Sequence, residues 1–374
     1  MIREGDGGDA RKARLLELCR ETLGNRRLIV ASNRGPVEYF VAPEGQLQAR
    51  RGSGAVVTAL SLLTYNLEFT WVASAMGEGD RRITTDGPEA RIRSPLPGHR
   101  LHLRFVVTPR RVYHKYYNVF CNPLLWFLQH YMWNSPYNPN VDLSVHDAWL
   151  DGYVPVNQAF AQAISDEARG YGEPPVVILH DYHLYLVAGL VRKTLPNALI
   201  QQFIHIPWPT TRYWQLLPAT MRRAVCESLC STDVVGFQTM RDVRSFLDSC
   251  EEFLPEAVAD YASGSVALGG RRTLVRAYPL SIDVEEVRRI AASAKVQEYE
   301  RKLKSLCRER TIVRVDRAEP SKNIVRGFRG FSILLARHPE WRGRVCFLAF
   351  LVPSRTHIRQ YQRYVEEIDQ VVQE

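Results

Sequence analysis

The sequence predicts an α/β protein whose first domain is a doubly wound, mainly parallel sheet, followed by the start of a second domain of the same kind. Short apolar runs, which predict buried strands, alternate with amphipathic segments of helical length. This alternation is typical of parallel sheets that carry helices on both faces. With 374 residues, of which 45% are hydrophobic, the chain is long enough to bury the cores of two domains.

The strands of the first domain are predicted where apolar residues run between turn-forming residues. Their ranges are 28–32, 69–73, 101–107, 176–179, 199–206, 233–238 and 273–277. Helices are predicted over 55–63, 149–165, 185–194, 211–230 and 239–250. Residues 76–100 are charged and rich in Gly and Pro, which predicts a loop with a hairpin.

The second domain is predicted to contain only two strands, 311–315 and 344–351, and two helices, 321–338 and 358–374. Two strands cannot bury the core of a normal doubly wound domain. We therefore expect the sequence to stop partway through this domain. The predicted organisation is a helical extension over 1–24, a first domain over 25–295 and a partial second domain over 296–374.

Composition excludes several classes of protein. The seven cysteines form no CxxC pair, which predicts free thiols in a reducing, cytoplasmic compartment. No apolar run is long enough to span a membrane, and residues 1–24 lack the apolar core of a signal peptide. The net charge of +9 is spread over short basic pairs, so a cleft for phosphorylated small molecules explains it without a nucleic-acid partner. The sequence does not determine the oligomeric state, and a homo-oligomer is one of the states that it allows.

Polar and glycine residues follow the predicted strands of both domains at the point where each strand ends. Because the carboxyl ends of parallel strands meet at one edge of a sheet, this is where ligands bind in open α/β folds. In the first domain these residues are Arg34, the turn Gly52–Gly54, His180, Asp181, His205 and Gln238. In the second domain they are Arg317, Lys322 and Arg355.

Phosphate is the ligand that several of these positions suit. A glycine-rich turn that opens a helix, as at Gly54, offers free N–H groups, although a tight turn with no ligand has the same sequence. Arg317 and Lys322 precede a predicted helix, where positive charge opposes the helix dipole. A bound diphosphate would make that arrangement favourable, whereas a solvated surface pair is the simpler alternative.

Other chemistries fit the sequence less well. His180, Asp181, His183 and His205 could form a metal cluster, but no HExxH spacing and no second nearby carboxylate support it. A hydrolytic triad is not supported, because no G-x-S-x-G motif is present. The aromatic stretch 113–133 predicts either a helix pair that packs its rings into the core or a stacking wall for sugar rings.

Seven motifs, in the same order along the chain, resemble those of trehalose-6-phosphate synthases. They are SNRGP (32–36), RGSGAVV (51–57), YYNVFCNPLLW (116–126), HDYHL (180–184), FIHIPWP (203–209), GFQT (236–239) and VDRAEPSKN (315–323). The resemblance implies a retaining GT-B glycosyltransferase with two Rossmann-like domains. It also implies transfer of glucose from a nucleotide sugar, usually UDP-glucose, to glucose 6-phosphate in trehalose biosynthesis, without a metal ion or other cofactor.

The resemblance also implies roles for individual residues. In the family the N-terminal domain holds the acceptor and the C-terminal domain holds the nucleotide. The residues that match acceptor-binding positions are Arg34, Tyr117, Trp126, Asp181 and Arg355. Those that match donor-binding positions are Gly54, His205, Arg317 and Lys322, and the catalytic set would be His205, Asp181, Arg317 and Lys322.

The sequence departs from the family pattern at a few positions. Ser74 and Ala75 occupy the region of a second tryptophan, and the family's Arg-x-Asp and following glycine are matched by Arg317-Ala318-Glu319 and Asn323. The family's Gly-Met-Asn-Leu segment is absent. Two alternatives therefore stay open: a related enzyme with a glycerol-phosphate or cyclitol-phosphate acceptor, and a truncated chain that binds sugar phosphate without turnover.

Overall fold

A computed structural model describes residues 6–52, 54–86, 91–132, 141–170 and 172–374. These residues divide into two compact units, the first ending at Leu280 and the second running from Ser281 to Glu374. The domain boundaries after residues 24 and 295 stay predictions. None of the helices in the described ranges is long and apolar enough to cross a membrane.

The first unit is built around one large sheet. Its strands are β1 (Leu28–Ser32), β2 (Val37–Val41), β3 (Leu47–Arg51), β4 (Thr70–Ser74), β5 (Ile92–Arg93), β6 (His102–Val106), β7 (Val176–His180), β8 (Leu199–Phe203), β9 (Val234–Phe237), β10 (Val258–Asp260), β11 (Ser265–Leu268) and β12 (Arg271–Ala277). Ten of them form the sheet, in the order β10-β11-β12-β9-β8-β7-β1-β4-β6-β5. Strands β2 and β3 form a separate antiparallel hairpin.

Helices connect and cover these strands. They are α1 (Asp6–Leu23), α2 (Ala55–Ala59), α3 (Ser61–Asn66), α4 (Glu78–Asp86), α5 (Arg110–His114), α6 (Trp126–Gln129), α7 (Leu143–Ala148), α8 (Val154–Ala168), α9 (Val187–Thr194), α10 (Thr211–Trp214), α11 (Ala219–Leu229) and α12 (Met240–Phe253). Two π-helical segments, Lys115–Leu125 and Trp149–Tyr153, and a 3₁₀ turn, Tyr182–Leu184, complete the set. The predicted doubly wound, mainly parallel sheet is confirmed.

The direction in which strands are added to the sheet reverses between β1 and β7. Strand β1 is parallel to both of its neighbours, with Ile29 opposite Thr70 of β4 and opposite Val177 of β7. From β1 the chain proceeds outward through β4 to β6, then returns to β7 and continues on the other side through β8 and β9. Ligands of open α/β sheets bind beyond the carboxyl ends of the strands at such a reversal. The residues that follow β1 and β7 are therefore the first place to look for a site.

Some helices were not predicted from the sequence, and others were predicted as single longer helices. Helix α4 lies within 76–100, where a loop was predicted. It packs closely on the β2–β3 hairpin, since a Cβ on Gly79 would overlap the backbone of Tyr39. Its position therefore depends on packing between segments that are distant in the sequence. The helices predicted over 55–63 and 211–230 are each interrupted, at Leu60 and before Ala219, where Pro218 precedes the second segment. The predicted pair of helices over 113–133 is wrong in the described part of that range, where α5, the π-helical segment and α6 run on without a turn.

The second unit contains two parallel strands, as predicted. They are β13 (Arg310–Ala318) and β14 (Val345–Pro353), and the helices are α13 (Val284–Ala291), α14 (Ala294–Lys304), α15 (Ile324–Arg337) and α16 (Arg359–Gln373). Helices α13 and α14, which have no buried residues, were not predicted from the sequence. The core of this unit is small and forms where α15 packs against α16, around Ile324, Tyr364 and Ile368.

A buried ion cluster ties the amino-terminal edge of the large sheet to α8. The carboxylate of Glu167, 4% exposed, accepts hydrogen bonds from Arg27 at 2.8 Å and from Arg104 at 3.0 Å. The same carboxylate accepts the hydroxyl of Thr70 at 3.0 Å. Arg27 precedes β1, Thr70 lies in β4 and Arg104 in β6, so one side chain links three strands to a covering helix.

We expect Glu167→Gln to destabilise the first unit strongly. The substitution removes the buried counter-charge of Arg27 and leaves Arg104 paired only with the more exposed Asp166, and breaking one side of a buried pair costs on the order of 3–5 kcal/mol. Urea denaturation followed by circular dichroism measures the loss. Glu17→Gln is the matched control, because Glu17 pairs with Arg14 while both side chains are more than half exposed. Equal stability of the two variants would contradict a structural role for the cluster.

Candidate functional site

Asp181 follows β7 and has a backbone conformation that non-glycine residues rarely adopt. Its φ is 71° and its ψ is 176°, in a region that is populated almost only by glycine. The conformation is held by backbone contacts to the neighbouring strand: the N–H of Asp181 donates to the carbonyl of Phe203 at 2.8 Å. The Asp181 carboxylate accepts the backbone N–H of His205 at 3.2 Å. Strain of this kind persists where surrounding structure over-determines it, which is a reason to look for function at Asp181.

A buried network of hydroxyl and amide groups holds the turn after Asp181. The hydroxyl of Tyr153 donates to the carbonyl of Tyr182 at 2.7 Å and accepts the N–H of Tyr185 at 3.1 Å. The carbonyl of His183 accepts the side-chain amide of Asn157 at 3.1 Å and lies 3.3 Å from the hydroxyl of Tyr116. Burial raises the pKa of Tyr153 and Tyr116 well above that of a free phenol, so both stay protonated donors.

Arg34 follows β1 and lies beside Tyr117. One guanidinium nitrogen of Arg34, Nη2, is 3.5 Å from the hydroxyl of Tyr117. The ring of Tyr117 stacks on those of Tyr113, at 5.6 Å between centroids, and His183, at 5.9 Å. The structure therefore brings Arg34, Tyr117 and the turn after Asp181 together, and Arg34 itself is exposed to solvent.

Asn33 anchors the residue before Arg34. This side chain is 3% exposed; its Oδ1 accepts the hydroxyls of Ser74 at 3.0 Å and Tyr116 at 3.2 Å, and its Nδ2 donates to the hydroxyl of Tyr113 at 3.3 Å. The bonds tie β1 to β4 and to the helical segment that carries Tyr117. The sequence reading gave Asn33 no role, although its place beside Arg34 at a strand end was a signal.

A cavity of about 250 Å³ opens beside Arg34. Its lining includes Arg34, Gly35, Gly52, Ser74 and Asp80. Gly52 is required there, because a Cβ on it would overlap the carbonyl oxygen of Gly35. Burial raises the pKa of Asp80, against three backbone N–H groups that donate to its carboxylate. Gly35, Gly52 and Gly77 are among the lining residues, so part of the cavity wall carries no side chain.

Gly54 and Trp126 complete the predicted residues of the first unit. Gly54, with a φ of 129°, precedes the short helix α2, while Ser53 of the same turn lies outside the described residues. Trp126 begins α6, is 4% exposed and stacks on His130 at 4.0 Å between ring centroids. Most other rings of the aromatic stretch are buried as well, which confirms the core-packing interpretation for them. The donor role of Gly54 and the acceptor role of Trp126 stay predictions.

In the second unit, Glu319 brings two of the predicted arginines together. Its carboxylate is 1% exposed and lies 3.4 Å from Arg317 and 3.5 Å from Arg355. The hydroxyls of Ser321 and Ser354 donate to the same carboxylate, each at 3.4 Å. The hydroxyl of Tyr361 also accepts a hydrogen bond from Arg355 at 2.6 Å. Glu319 was noted in the sequence only as a replacement for aspartate, and its position between two arginines could not be read from the spacing.

Lys322 ends the short turn that leads from β13 into α15. Its side chain is exposed, and its carbonyl accepts a hydrogen bond from the Arg314 guanidinium. The next residue, Asn323, has a left-handed backbone with a φ of 55°. Glycine is the usual residue in that conformation and asparagine tolerates it best of the others, so Asn323 fits where the family pattern has glycine. Within the described ranges, no group of three or more His, Cys, Asp or Glu side chains could hold a metal ion.

Comparison with known proteins places the chain among glycosyltransferases. Residues 26–374 match the family described as glycosyltransferase family 20. A UDP-forming α,α-trehalose-phosphate synthase of Aspergillus niger is 30% identical over 359 residues, which cover 93% of this chain and 70% of that protein. A second, from Dictyostelium discoideum, is 28% identical and covers 94% of this chain and 45% of that protein. The chain thus spans between about half and 70% of the length of these relatives.

A solved structure of a trehalose-phosphate synthase has a similar fold. It is the UDP-forming α,α-trehalose-phosphate synthase of Burkholderia xenovorans in complex with glucose-6-phosphate. The TM-score is 0.72 at 26% identity, and the match covers 92% of this chain and 70% of that one. The predicted GT-B fold class is confirmed.

We expect Asp181→Gly to be more stable than Asp181→Ala, although alanine normally stabilises a chain relative to glycine. Alanine keeps the strained backbone, whereas glycine relieves strain worth roughly 1–3 kcal/mol, partly offset by about 0.4–1 kcal/mol of added unfolded-state entropy. Urea denaturation of the two variants measures the difference. Finding the alanine variant more stable would show that Asp181 is unstrained.

Proposed function

Because the chain belongs to glycosyltransferase family 20, we propose that it transfers glucose from UDP-glucose to glucose 6-phosphate with retention of configuration, in trehalose biosynthesis. The observation that carries the proposal is the group of Arg34, Tyr117 and Asp181 at the strand reversal of the first unit. A cation and a carboxylate on one sheet edge suit a ligand with a phosphate at one end and hydroxyls at the other.

Arg34 is proposed to bind the 6-phosphate of the acceptor. Its guanidinium is exposed, always charged and able to donate two parallel hydrogen bonds to a phosphate. Asp181 would accept a sugar hydroxyl, and Tyr117 would help to hold Arg34 in place at 3.5 Å. The Burkholderia xenovorans relative, whose structure contains glucose-6-phosphate, supports a sugar phosphate as the acceptor.

The second unit is proposed to bind phosphate groups through Arg317, Lys322 and Arg355. Arg317 and Lys322 would hold the diphosphate of the donor, and Arg355 would add charge for the acceptor phosphate. Glu319 is proposed to orient both arginines, because a buried carboxylate within 3.5 Å of each restricts their rotation. The UDP-forming relatives support a nucleotide diphosphate as the leaving group.

The proposed reaction is a front-face displacement in which the departing diphosphate takes the proton of the acceptor hydroxyl. Catalysis then consists of positioning two substrates and stabilising the charge of the leaving group. We propose that no metal ion or other cofactor takes part. His205 would contact the donor sugar near the reacting carbon as a neutral group, because burial lowers the pKa of its imidazole.

Release of UDP in the presence of both substrates tests the proposed function. We expect UDP to accumulate only when UDP-glucose and glucose 6-phosphate are supplied together. If UDP release instead requires glycerol 3-phosphate or a cyclitol phosphate, the chain is a related enzyme with that acceptor. Binding of glucose 6-phosphate without any UDP release would overturn the transferase proposal in favour of a sugar-phosphate-binding chain.

We expect Lys322→Ala to lower kcat by on the order of 10²–10³-fold, as for other lost donors that stabilise developing charge. The physical reason is that the diphosphate gains charge as the glycosidic bond breaks. Steady-state UDP release measures the effect. Lys302→Ala is the matched control, because Lys302 is an exposed lysine of the same unit that contacts Glu298 and the Tyr299 ring of its own helix. Full activity of Lys322→Ala would remove Lys322 from the diphosphate site.

A further inference from the structure

His180 and His205 form a hydrogen-bonded pair at the edge of the large sheet. His180 is the last residue of β7, opposite Phe203 of β8, and His205 lies two residues beyond the end of β8. Nδ1 of His180 is 3.1 Å from Nε2 of His205. His180 is 5% exposed, whereas His205 is only half-buried, on the loop that follows its strand.

Both imidazoles are neutral at physiological pH. Burial, and then the neighbouring His205, lower the pKa of His180 to about 3. Burial also lowers the pKa of His205, against a smaller opposing effect of the Asp181 carboxylate. In a neutral pair one ring donates an N–H and the other accepts it, so two arrangements of protons are consistent with the distance.

The two arrangements differ in which of the two remaining ring nitrogens carries a proton. Nε2 of His180 and Nδ1 of His205 are both buried, and neither has a hydrogen-bond partner within the described ranges. If His180 donates, the unpartnered N–H is Nδ1 of His205. If His205 donates, the unpartnered N–H is Nε2 of His180.

Burial favours the first arrangement. A buried N–H without an acceptor costs about 1–3 kcal/mol, and such groups are rarer in proteins than unfilled acceptors. His180 lies at the end of a strand that is paired on both sides, so its Nε2 stays enclosed. His205 lies on the partly exposed loop after β8, so a small movement of that loop can bring its buried Nδ1 to a ligand oxygen that accepts the N–H.

We propose that His180 is a positioning residue that donates from Nδ1 to Nε2 of His205 and so holds His205 as the Nδ1–H tautomer, a neutral hydrogen-bond donor for a sugar oxygen. The two residues at the end of β7, His180 and Asp181, then hold His205 at two points. His180 fixes the ring, and the Asp181 carboxylate fixes the backbone by accepting the N–H of His205. The sugar as the ligand rests on the proposed function, whereas the tautomer of His205 does not.

Nitrogen-15 NMR of protein labelled at histidine tests the tautomer directly. In the ligand-free chain at neutral pH we expect the proton of His205 on Nδ1 and a bare Nε2. In His180→Phe we expect the His205 signals to move toward those of a free imidazole, while His180→Asn, which keeps a side-chain N–H at that place, retains more of the original pattern. The exposed His146 is the internal control and should not change.

Turnover gives a second readout that a purely structural role would not move. If the chain releases UDP, we expect His180→Phe to lower kcat/KM for UDP-glucose by about tenfold, the effect of one hydrogen bond worth roughly 1.4 kcal/mol, with partial rescue by His180→Asn. A proton on Nε2 of His205 in the wild-type chain, or no change in its signals in His180→Phe, would overturn the proposal. Because the NMR signals do not require activity, failure of the proposed function gives a different result from failure of this one.

Discussion

The candidate acceptor site depends on one short backbone segment, the step from His180 to Asp181 at the end of β7. Its location follows from topology, since the direction of strand addition reverses between β1 and β7 and leaves their carboxyl ends side by side. Its shape depends on the Asp181 backbone, held in a conformation suited to glycine by a bond to Phe203 of β8. Because the backbone turns at this residue, β7 ends before it and the Asp181 carboxylate lies beside His205.

Much of the buried polar structure of the first unit supports this segment. Asn33, Asn157, Tyr116 and Tyr153 all lie in the interior, where an unpaired amide or hydroxyl would be costly. Tyr116 bonds to Asn33, which precedes Arg34, while Tyr153 and Asn157 bond to carbonyls of the turn after Asp181. A satisfied buried network of this kind rigidifies its surroundings. Arg34 and Asp181 are therefore held at fixed positions at this edge of the sheet.

In the second unit, a buried ionic cluster completed by hydroxyl groups supports two of the predicted arginines. Glu319 is almost fully buried between Arg317 and Arg355, and a lone buried carboxylate would be unfavourable without them. The pairing leaves the group with a net positive charge, because one carboxylate meets two guanidinium groups. Such a cluster suits an anion with more than one negative charge, as a diphosphate has.

The sequence predicted the parts of this architecture that depend on local pattern. Apolar runs identified β1, β7 and β8 to within a few residues, and the polar residues after them were correctly placed at one sheet edge. What it could not predict depends on packing between distant segments: the positive φ of Asp181, the bond between His180 and His205, and Glu319 between two arginines. Helix α4 was missed for the same reason, since Gly79 allows it to lie against Tyr39.

A crystal structure of the chain with glucose 6-phosphate tests whether the sheet edge at β1 and β7 binds a sugar phosphate. We expect the phosphate within hydrogen-bonding distance, about 2.7–3.2 Å, of the Arg34 guanidinium and a sugar hydroxyl at the same distance from the Asp181 carboxylate. Glucose 6-phosphate bound elsewhere, with neither Arg34 nor Asp181 in contact with it, would rule out this edge as the acceptor site.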